Sequence, residues 1–157
     1  MSNFLAIDQG TTSSRAIVFS SSHELITDSQ EEYSLSYPKD GWVEADPNDI
    51  LKTVNQTLAN VLKKTSETIT CCGITNQRET TVVWSVETGE PIYPAIVWQD
   101  RRTHELCKLL KEKGHEEMVR AKTGLVIDPY FSATKIKWIL DNVDGARNDA
   151  EAGKLRF

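Results

Sequence analysis

A chain of 157 residues has room for one ordinary domain, and its 39% hydrophobic and 26% charged residues are those of a globular protein able to form a core. The formal net charge of −5 argues against a nucleic-acid or membrane-surface role, and no apolar run is long enough to span a bilayer. Three cysteines, two of them adjacent at Cys71 and Cys72 and the third at Cys107, do not make a disulfide framework and point to a reducing, cytoplasmic setting.

In chain order, Met1-Ser2-Asn3 runs directly into an apolar segment, with no basic leader and no long apolar stretch of the kind a secretory signal needs. Phe4-Leu5-Ala6-Ile7 and Ala16-Ile17-Val18-Phe19 then flank a polar segment, which reads as a β-hairpin. The connecting residues include Asp8, Gly10, Thr11, Thr12, Ser13, Ser14 and Arg15. Hydroxyls and free backbone N–H groups hydrogen-bond phosphate oxygens, and glycine lets the backbone approach closely. Arg15 offers a charged fork of donors. Asp8 repels phosphate unless a hard cation such as Mg²⁺ lies between them. Local chemistry admits two readings, a phosphate-binding hairpin and an ordinary Ser/Thr/Gly turn.

A third strand is expected near residues 24–32, followed by the turn-rich Tyr37-Pro38-Lys39-Asp40-Gly41-Trp42. Asp46 suits a helix N-cap and Pro47 the first helical position. Ile50, Leu51, Val54, Leu58, Val61 and Leu62 follow at helical spacing, so a helix to about Lys64 is expected, with these residues inward. Ile-Thr-Cys-Cys-Gly-Ile-Thr at residues 69–75 is a continuous apolar run, expected to be a strand buried on both faces. Helix followed by buried strand predicts an α/β crossover.

Residues 81–86 and 92–98 read as two more strands joined by a hairpin loop. Leu106, Leu109 and Leu110 mark a helix ending at Gly114, and a short helix over 115–122 ends at Gly124. The pattern predicts a further helix over 132–143, capped by Ser132, with Ile136, Ile139, Leu140 and Val143 on one face. A last short helix over 146–153 and the start of a strand at 154–157 complete the series. A strand beginning at the last residues is expected to belong to a longer domain.

There is no Gly-x4-Gly-Lys-Ser/Thr loop and no Gly-x-Gly-x-x-Gly fingerprint. His23, His104 and His115 lack metal-ligand spacing and are expected to be incidental. Asn76-Gln77-Arg78-Glu79 follows the apolar strand, at the position where open α/β folds place ligand contacts. Arg78 and Glu79 set a donor fork beside an acceptor, which suits a polyhydroxyl but also a plain local ion pair. Trp98 reads as core or as the apolar wall of a small-ligand site. Tyr130 reads as a staple at a helix start or as a ligand-facing hydroxyl.

Together these stretches resemble the FGGY carbohydrate kinases. The segment over 8–15 is similar to the family's first phosphate motif, which is shared with the wider hexokinase, heat-shock ATPase and actin superfamily. Gly73-Ile74-Thr75-Asn76-Gln77-Arg78-Glu79-Thr80-Thr81 is similar to the motif of the family's glycerol-specific members. The run from Tyr130 through Lys135 and Trp138 to Asn142 is similar to the first family signature, and the resemblance extends over residues 4–157. It implies an α/β, actin-like (ribonuclease H-like) ATPase domain, a mixed sheet with flanking helices, incomplete at its C-terminus. Residues 1–157 would be the N-terminal part of the first kinase domain, with a small insertion around 80–130.

The resemblance implies transfer of the γ-phosphoryl of ATP to a terminal hydroxyl of glycerol, giving sn-glycerol 3-phosphate, with Mg²⁺ and without nucleic acid or membrane insertion. A homo-oligomer is expected at full length. By the same resemblance Thr11, Thr12, Ser13 and Arg15 face nucleotide phosphates and Asp8 holds Mg²⁺. Arg78, Glu79 and Tyr130 bind the glycerol hydroxyls, and Trp98 packs on the carbon face. None of Asp128, Asp141, Asp144 or Asp149 lies in the family's base motif. The general-base aspartate, the second phosphate motif and the adenosine segment are expected beyond residue 157, so no turnover is expected of this chain by itself. The alternatives are another sugar kinase of the family and a non-catalytic actin-like binding module.

Overall fold

The computed structural model describes residues 3–66 and 68–157; Met1 and Ser2, read above as leading straight into a strand, lie outside them. The chain forms two compact units, one of residues 1–35 and 46–78, the other of residues 36–45 and 79–157.

The first unit is built on the expected hairpin. Strands β1 (Asn3–Gln9) and β2 (Ser13–Phe19) pair antiparallel, and β3 (Leu25–Glu32) adds antiparallel to β2. β1 runs two residues and β2 three residues further into the polar segment than apolarity alone marks, because pairing of Asp8 with Arg15, of Gln9 with Ser14 and of Ser13 with Glu32 on β3 continues the ladders. After β4 (Leu35–Ser36) and β5 (Glu44–Ala45), helix α1 (Pro47–Lys64) begins where expected, and the Asp46 carboxylate accepts from the Asn48 N–H at 2.8 Å. Asp46→Ala should lower unfolding stability by about 1 kcal/mol in a urea titration; no change in midpoint would show the cap to be idle.

The inward face of α1 is rotated from the expected one. Thr53, Thr57 and Val61 are buried, with Val54 and Leu58 beside the cluster of Leu5, Ile7, Ala16 and Val18. Leu51 and Leu62 are exposed. Threonines replace leucines inward because their hydroxyls find partners, Thr53 Oγ1 with Ser14 Oγ at 2.9 Å and Thr57 Oγ1 donating to the Val54 carbonyl at 2.9 Å.

Strand β6 (Ile69–Thr75) has the expected bounds and pairs parallel with β1, completing the order β3-β2-β1-β6 and the expected crossover through α1. The expectation that it is buried on both faces is wrong for these residues. β6 is the outer strand, Cys71 and Cys72 are exposed, and Ile74 is 75% exposed. Helix α1 packs mainly on β2 and β3, and of β6 only Ile69 is partly buried, against the cluster that α1 covers. Continuous apolarity records a strand suited to two covered faces, but burial depends on what packs there.

In the second unit the two strands expected at 81–86 and 92–98 shrink to β7 (Trp84–Ser85) and β8 (Ala95–Ile96). Between them Ser85 N–H donates to the Glu90 carbonyl and Ile92 N–H to the Val83 carbonyl, and Thr81 and Ile96 exchange both bonds. Pro91 and Pro94 have no N–H to give, which interrupts the ladder. β8 pairs instead with β5, in a three-stranded sheet of order β4-β5-β8.

Helices α2 (His104–Glu112), α3 (Glu116–Thr123), α4 (Ser132–Asn142) and α5 (Ala146–Glu151) follow near the expected positions, and β9 (Leu155–Arg156) pairs antiparallel with β7. Gly124 ends α3 in the left-handed region at φ 74°, as its place after the last turn predicts. Val83, Ile96 and Ile139 form a core flanked by Ile92, Tyr93, Trp138 and Val143.

The same unit holds a buried ionic cluster that the sequence did not reveal. The Arg102 side chain is fully buried, donating to Asp100 Oδ1 from Nε at 2.9 Å and to Oδ2 from Nη2 at 2.8 Å. Nη2 also reaches Glu44 Oε1 at 2.8 Å, and Nη1 the Tyr93 hydroxyl at 3.2 Å. The guanidinium carbon lies 3.8 Å from the Trp42 ring centroid and 4.7 Å from that of Trp138. Burial works against the charge, yet the hydrogen bonds that Arg102 donates to Asp100 and Glu44 hold it above its ordinary pKa. Asp100 Oδ2 also accepts the Val43 N–H at 2.7 Å, which ties the turn after Trp98 to the strand carrying Glu44.

Candidate functional site

In the first unit, Gly10-Thr11-Thr12 is the turn between β1 and β2, closed by the Gly10 N–H donating to the Ser13 carbonyl at 2.8 Å. A Cβ on Gly10 would stand 3.2 Å from that same oxygen, so the turn is tight where glycine was expected to allow close approach. The carbonyls of the turn are tied down from behind. Tyr33 N–H donates to Thr12 O at 3.1 Å, and the Tyr33 hydroxyl donates to Gly10 O at 2.5 Å. Gln9 Nε2 donates to Gly10 O at 2.7 Å and to the Tyr33 hydroxyl at 3.0 Å. Gln77 Nε2 donates to that hydroxyl at 2.8 Å and to Gln9 Oε1 at 3.2 Å. Burial pushes the Tyr33 phenol above its ordinary pKa, against the pull of the two glutamines, so it remains a donor at neutral pH.

The hydroxyl-bearing residues of the turn reach the surface, and Ser13 Oγ accepts from Gln30 Nε2 at 3.2 Å. Thr12 is exposed, and Thr11 and Ser13 are half-buried. Ser14 is buried against Thr53 and is no ligand group. Arg15 makes a two-pronged contact with Asp28 on β3, Nη2 to Oδ2 at 2.7 Å and Nε to Oδ2 at 3.1 Å. A phosphate would therefore meet an arginine already half-neutralised, on an exposed pair that solvent screens.

Asp8 is exposed near the end of β1, opposite Arg15 on one side and Thr75 on the other. Among the described residues no group of three His, Cys, Asp or Glu side chains is gathered to hold a metal. A single carboxylate beside such a turn fits Mg²⁺ if phosphates are held there, because the ion keeps most of its water and binds through one or two carboxylates and the phosphates themselves.

Gln77 is buried in the Tyr33 network and so buttresses the hairpin, although its place after β6 marked it for ligand contact. Tyr33 escaped notice because one tyrosine at the end of a polar strand carries no local signal. Arg78 is exposed and ends the first unit.

Glu79 opens the second stretch of the other unit, in the left-handed region at φ 66°. A non-glycine residue there costs about 1–3 kcal/mol and persists only where its surroundings over-determine it. Two groups do so. Ser132 donates to Glu79 Oε2 from its N–H and from its hydroxyl, both at 2.9 Å, and Lys135 Nζ donates to the Glu79 carbonyl at 3.0 Å. Ser132 was expected to cap α4; Phe131 stands at the N-cap instead and makes no side-chain bond to the helix, and the Ser132 hydroxyl serves Glu79. Both bonds fall on Oε2.

Tyr130 and Trp98 stand edge to face with ring centroids 6.0 Å apart, both half-buried, and Tyr130 continues into Phe131 at 5.2 Å. The Trp98 backbone N–H donates to Thr80 Oγ1 at 3.3 Å. An acceptor fixed through Ser132 and a paired aromatic surface thus belong to one unit. That combination suits a small ligand with hydroxyls on one side and C–H groups on another.

Comparison with known proteins gives a consistent result. The N-terminal domain of the FGGY family of carbohydrate kinases matches residues 3–155. A glycerol kinase of Oceanobacillus iheyensis is 60% identical over 156 residues, which are 98% of this chain and 31% of that protein. The crystal structure of Plasmodium falciparum glycerol kinase with ADP superposes with a TM-score of 0.93 at 34% identity, over 99% of this chain and 32% of that one. A xylulose kinase from Rhodospirillum rubrum superposes with a TM-score of 0.85 at 22% identity, over 93% of this chain and 30% of that one, a likeness of fold. The chain spans about a third of the length of the relatives it matches.

Proposed function

The chain belongs to the FGGY family of carbohydrate kinases, and from that premise we propose that it supplies the phosphate hairpin and the polyol-binding residues of an ATP-dependent glycerol kinase. The observation that carries the reading is the Glu79 carboxylate, held in a strained backbone conformation by Ser132 and Lys135 in the unit that pairs Trp98 with Tyr130. The names and identities of the relatives favour glycerol, since curated glycerol kinases are 60% and 58% identical to this chain.

In this reading Thr11, Thr12 and Ser13 hold nucleotide phosphate oxygens, and Asp8 orients a hydrated Mg²⁺. That ion supplies charge neutralisation on the phosphates, which phosphoryl transfer needs more than covalent help. Arg78 donates to glycerol hydroxyls, the Glu79 carboxylate accepts from them, Tyr130 adds its hydroxyl and Trp98 covers the carbon chain. A site that satisfies each hydroxyl rejects analogues lacking one, because its own polar groups would be left unpaired. The base that takes the proton of the attacking hydroxyl is not assigned to any aspartate of these residues. The three free cysteines support a reducing, cytoplasmic setting, and among the described residues no helix is long and apolar enough to cross a membrane. At full length we expect a homo-oligomer.

The test is ATP- and glycerol-dependent release of ADP by a protein of the relatives' length carrying this sequence. Turnover with glycerol well above that with a pentulose supports the proposal, and the reverse order would replace it with another sugar kinase. Arg78→Ala should raise KM for glycerol by roughly 10–100-fold, the loss of one charged hydrogen bond, with KM for ATP little moved. Equal increases in both constants would remove Arg78 from the polyol site.

A further inference from the structure

Lys135 lies on α4 with its side chain fully buried. Its ammonium makes no hydrogen bond to a carboxylate among the described residues. It donates to two backbone carbonyls, Glu79 O at 3.0 Å and Tyr130 O at 2.5 Å. Burying an ammonium is costly, and packing alone would be served by methionine or leucine. The two carbonyls belong to residues far apart in sequence, both read above as touching the polyol. One is a left-handed glutamate whose backbone would otherwise relax. Ser132, a turn earlier on the same helix, grips the Glu79 carboxylate, so α4 holds this residue at both its backbone and its side chain.

We infer that Lys135 is a positioning residue for polyol binding: its ammonium clamps the backbone carbonyls of Glu79 and Tyr130 together, and so sets where the Glu79 carboxylate and the Tyr130 hydroxyl stand. This rests on the reading that those two residues bind the polyol. Three N–H groups and a full charge suit the task, because a cation holds two carbonyl dipoles at once where a neutral side chain holds one weakly. The charge is poised to be lost. Burial lowers the Lys135 pKa to about 8, against the opposing influence of Glu79, Asp100, Asp128 and Cys107, the titratable groups around it. Below pH 8 the ammonium grips both carbonyls; above it the neutral amine grips them less.

The experiment uses the full-length protein carrying this sequence, as wild type and as Lys135→Met and Lys135→Arg. Lys135→Met should raise KM for glycerol at least tenfold while KM for ATP stays within threefold, and Lys135→Arg should recover part of the loss. A Lys135→Met protein that unfolds more readily but keeps its glycerol KM, or raises both constants alike, overturns the inference. If that variant does not fold, the wild type decides: KM for glycerol should climb as pH passes 8 while KM for ATP does not, and a flat profile overturns the clamp. Amide hydrogen exchange needs no substrate and separates this inference from the function. In Lys135→Met, faster exchange of the Ser132 N–H with the rest of α4 still protected supports the clamp whatever the substrate proves to be. Unchanged exchange there overturns it even if glycerol is phosphorylated.

Discussion

Arg102→Met is expected to destabilise the second unit by about 3–5 kcal/mol, the cost of leaving buried carboxylates without their counter-ion. Asp100 is 1% exposed and Glu44 7%, and both turn oxygens toward the Arg102 guanidinium. Without it, each carboxylate must become protonated or draw water into the core. The substitution also removes a cation stacked on Trp42 and Trp138, a further contribution of order 1–2 kcal/mol where water is excluded. Urea unfolding followed by tryptophan fluorescence measures the effect, since Trp42 and Trp138 stand 5.1 Å apart beside the guanidinium. The double variant Asp100→Asn/Arg102→Met should recover part of the stability, because one of the stranded charges is gone. A single-variant loss below about 1 kcal/mol would mean that the cluster contributes no more than an exposed ion pair.

The second large effect is expected at Glu79. In a full-length enzyme carrying this sequence, Glu79→Ala should lower kcat/KM for glycerol by roughly 10–10⁴-fold, the loss of one or two hydrogen bonds between a carboxylate and substrate hydroxyls at about 1.5–3 kcal/mol each. KM for ATP should hardly change, because the nucleotide is assigned to the hairpin over residues 8–15. Glu79→Gln separates two roles. Its amide oxygen still accepts from Ser132, so the loop keeps its place, but the charge is gone, and the loss should be intermediate. A Glu79→Ala enzyme within tenfold of wild type on glycerol would remove Glu79 from substrate binding and confine it to anchoring α4 through Ser132.

Much of the fold was legible because short-range physics produced it. Two short apolar runs around a glycine-containing turn predicted β1 and β2, and a capping aspartate before proline predicted the first residue of α1. Two errors share one cause. The strand over residues 69–75 is as apolar as a central strand, yet stands exposed at the sheet edge, and the expected leucine face of α1 gave way to a threonine face. Composition states what an element tolerates on its surfaces; partners distant in sequence decide which surfaces are covered. The strands expected near 84 and 95 shortened for a reason that the sequence did contain, the two prolines between them.

The site divides along the same line. Residue types and order by themselves determined the hairpin turn and its hydroxyls, the Arg78-Glu79 pair and the likeness to a kinase family, since each is a run of neighbours. Tertiary structure alone decided that Tyr33 and Gln77 brace the turn, that Arg15 is already bound to Asp28, and that Ser132 and Lys135 fix Glu79. It also decided that Arg102 would be sealed between two carboxylates and two tryptophans. The reason is one of range. Backbone propensity and capping act over a few residues, whereas a buried polar group is satisfied by whichever partner the chain's path brings within about 3 Å, and that distance is unrelated to separation in sequence.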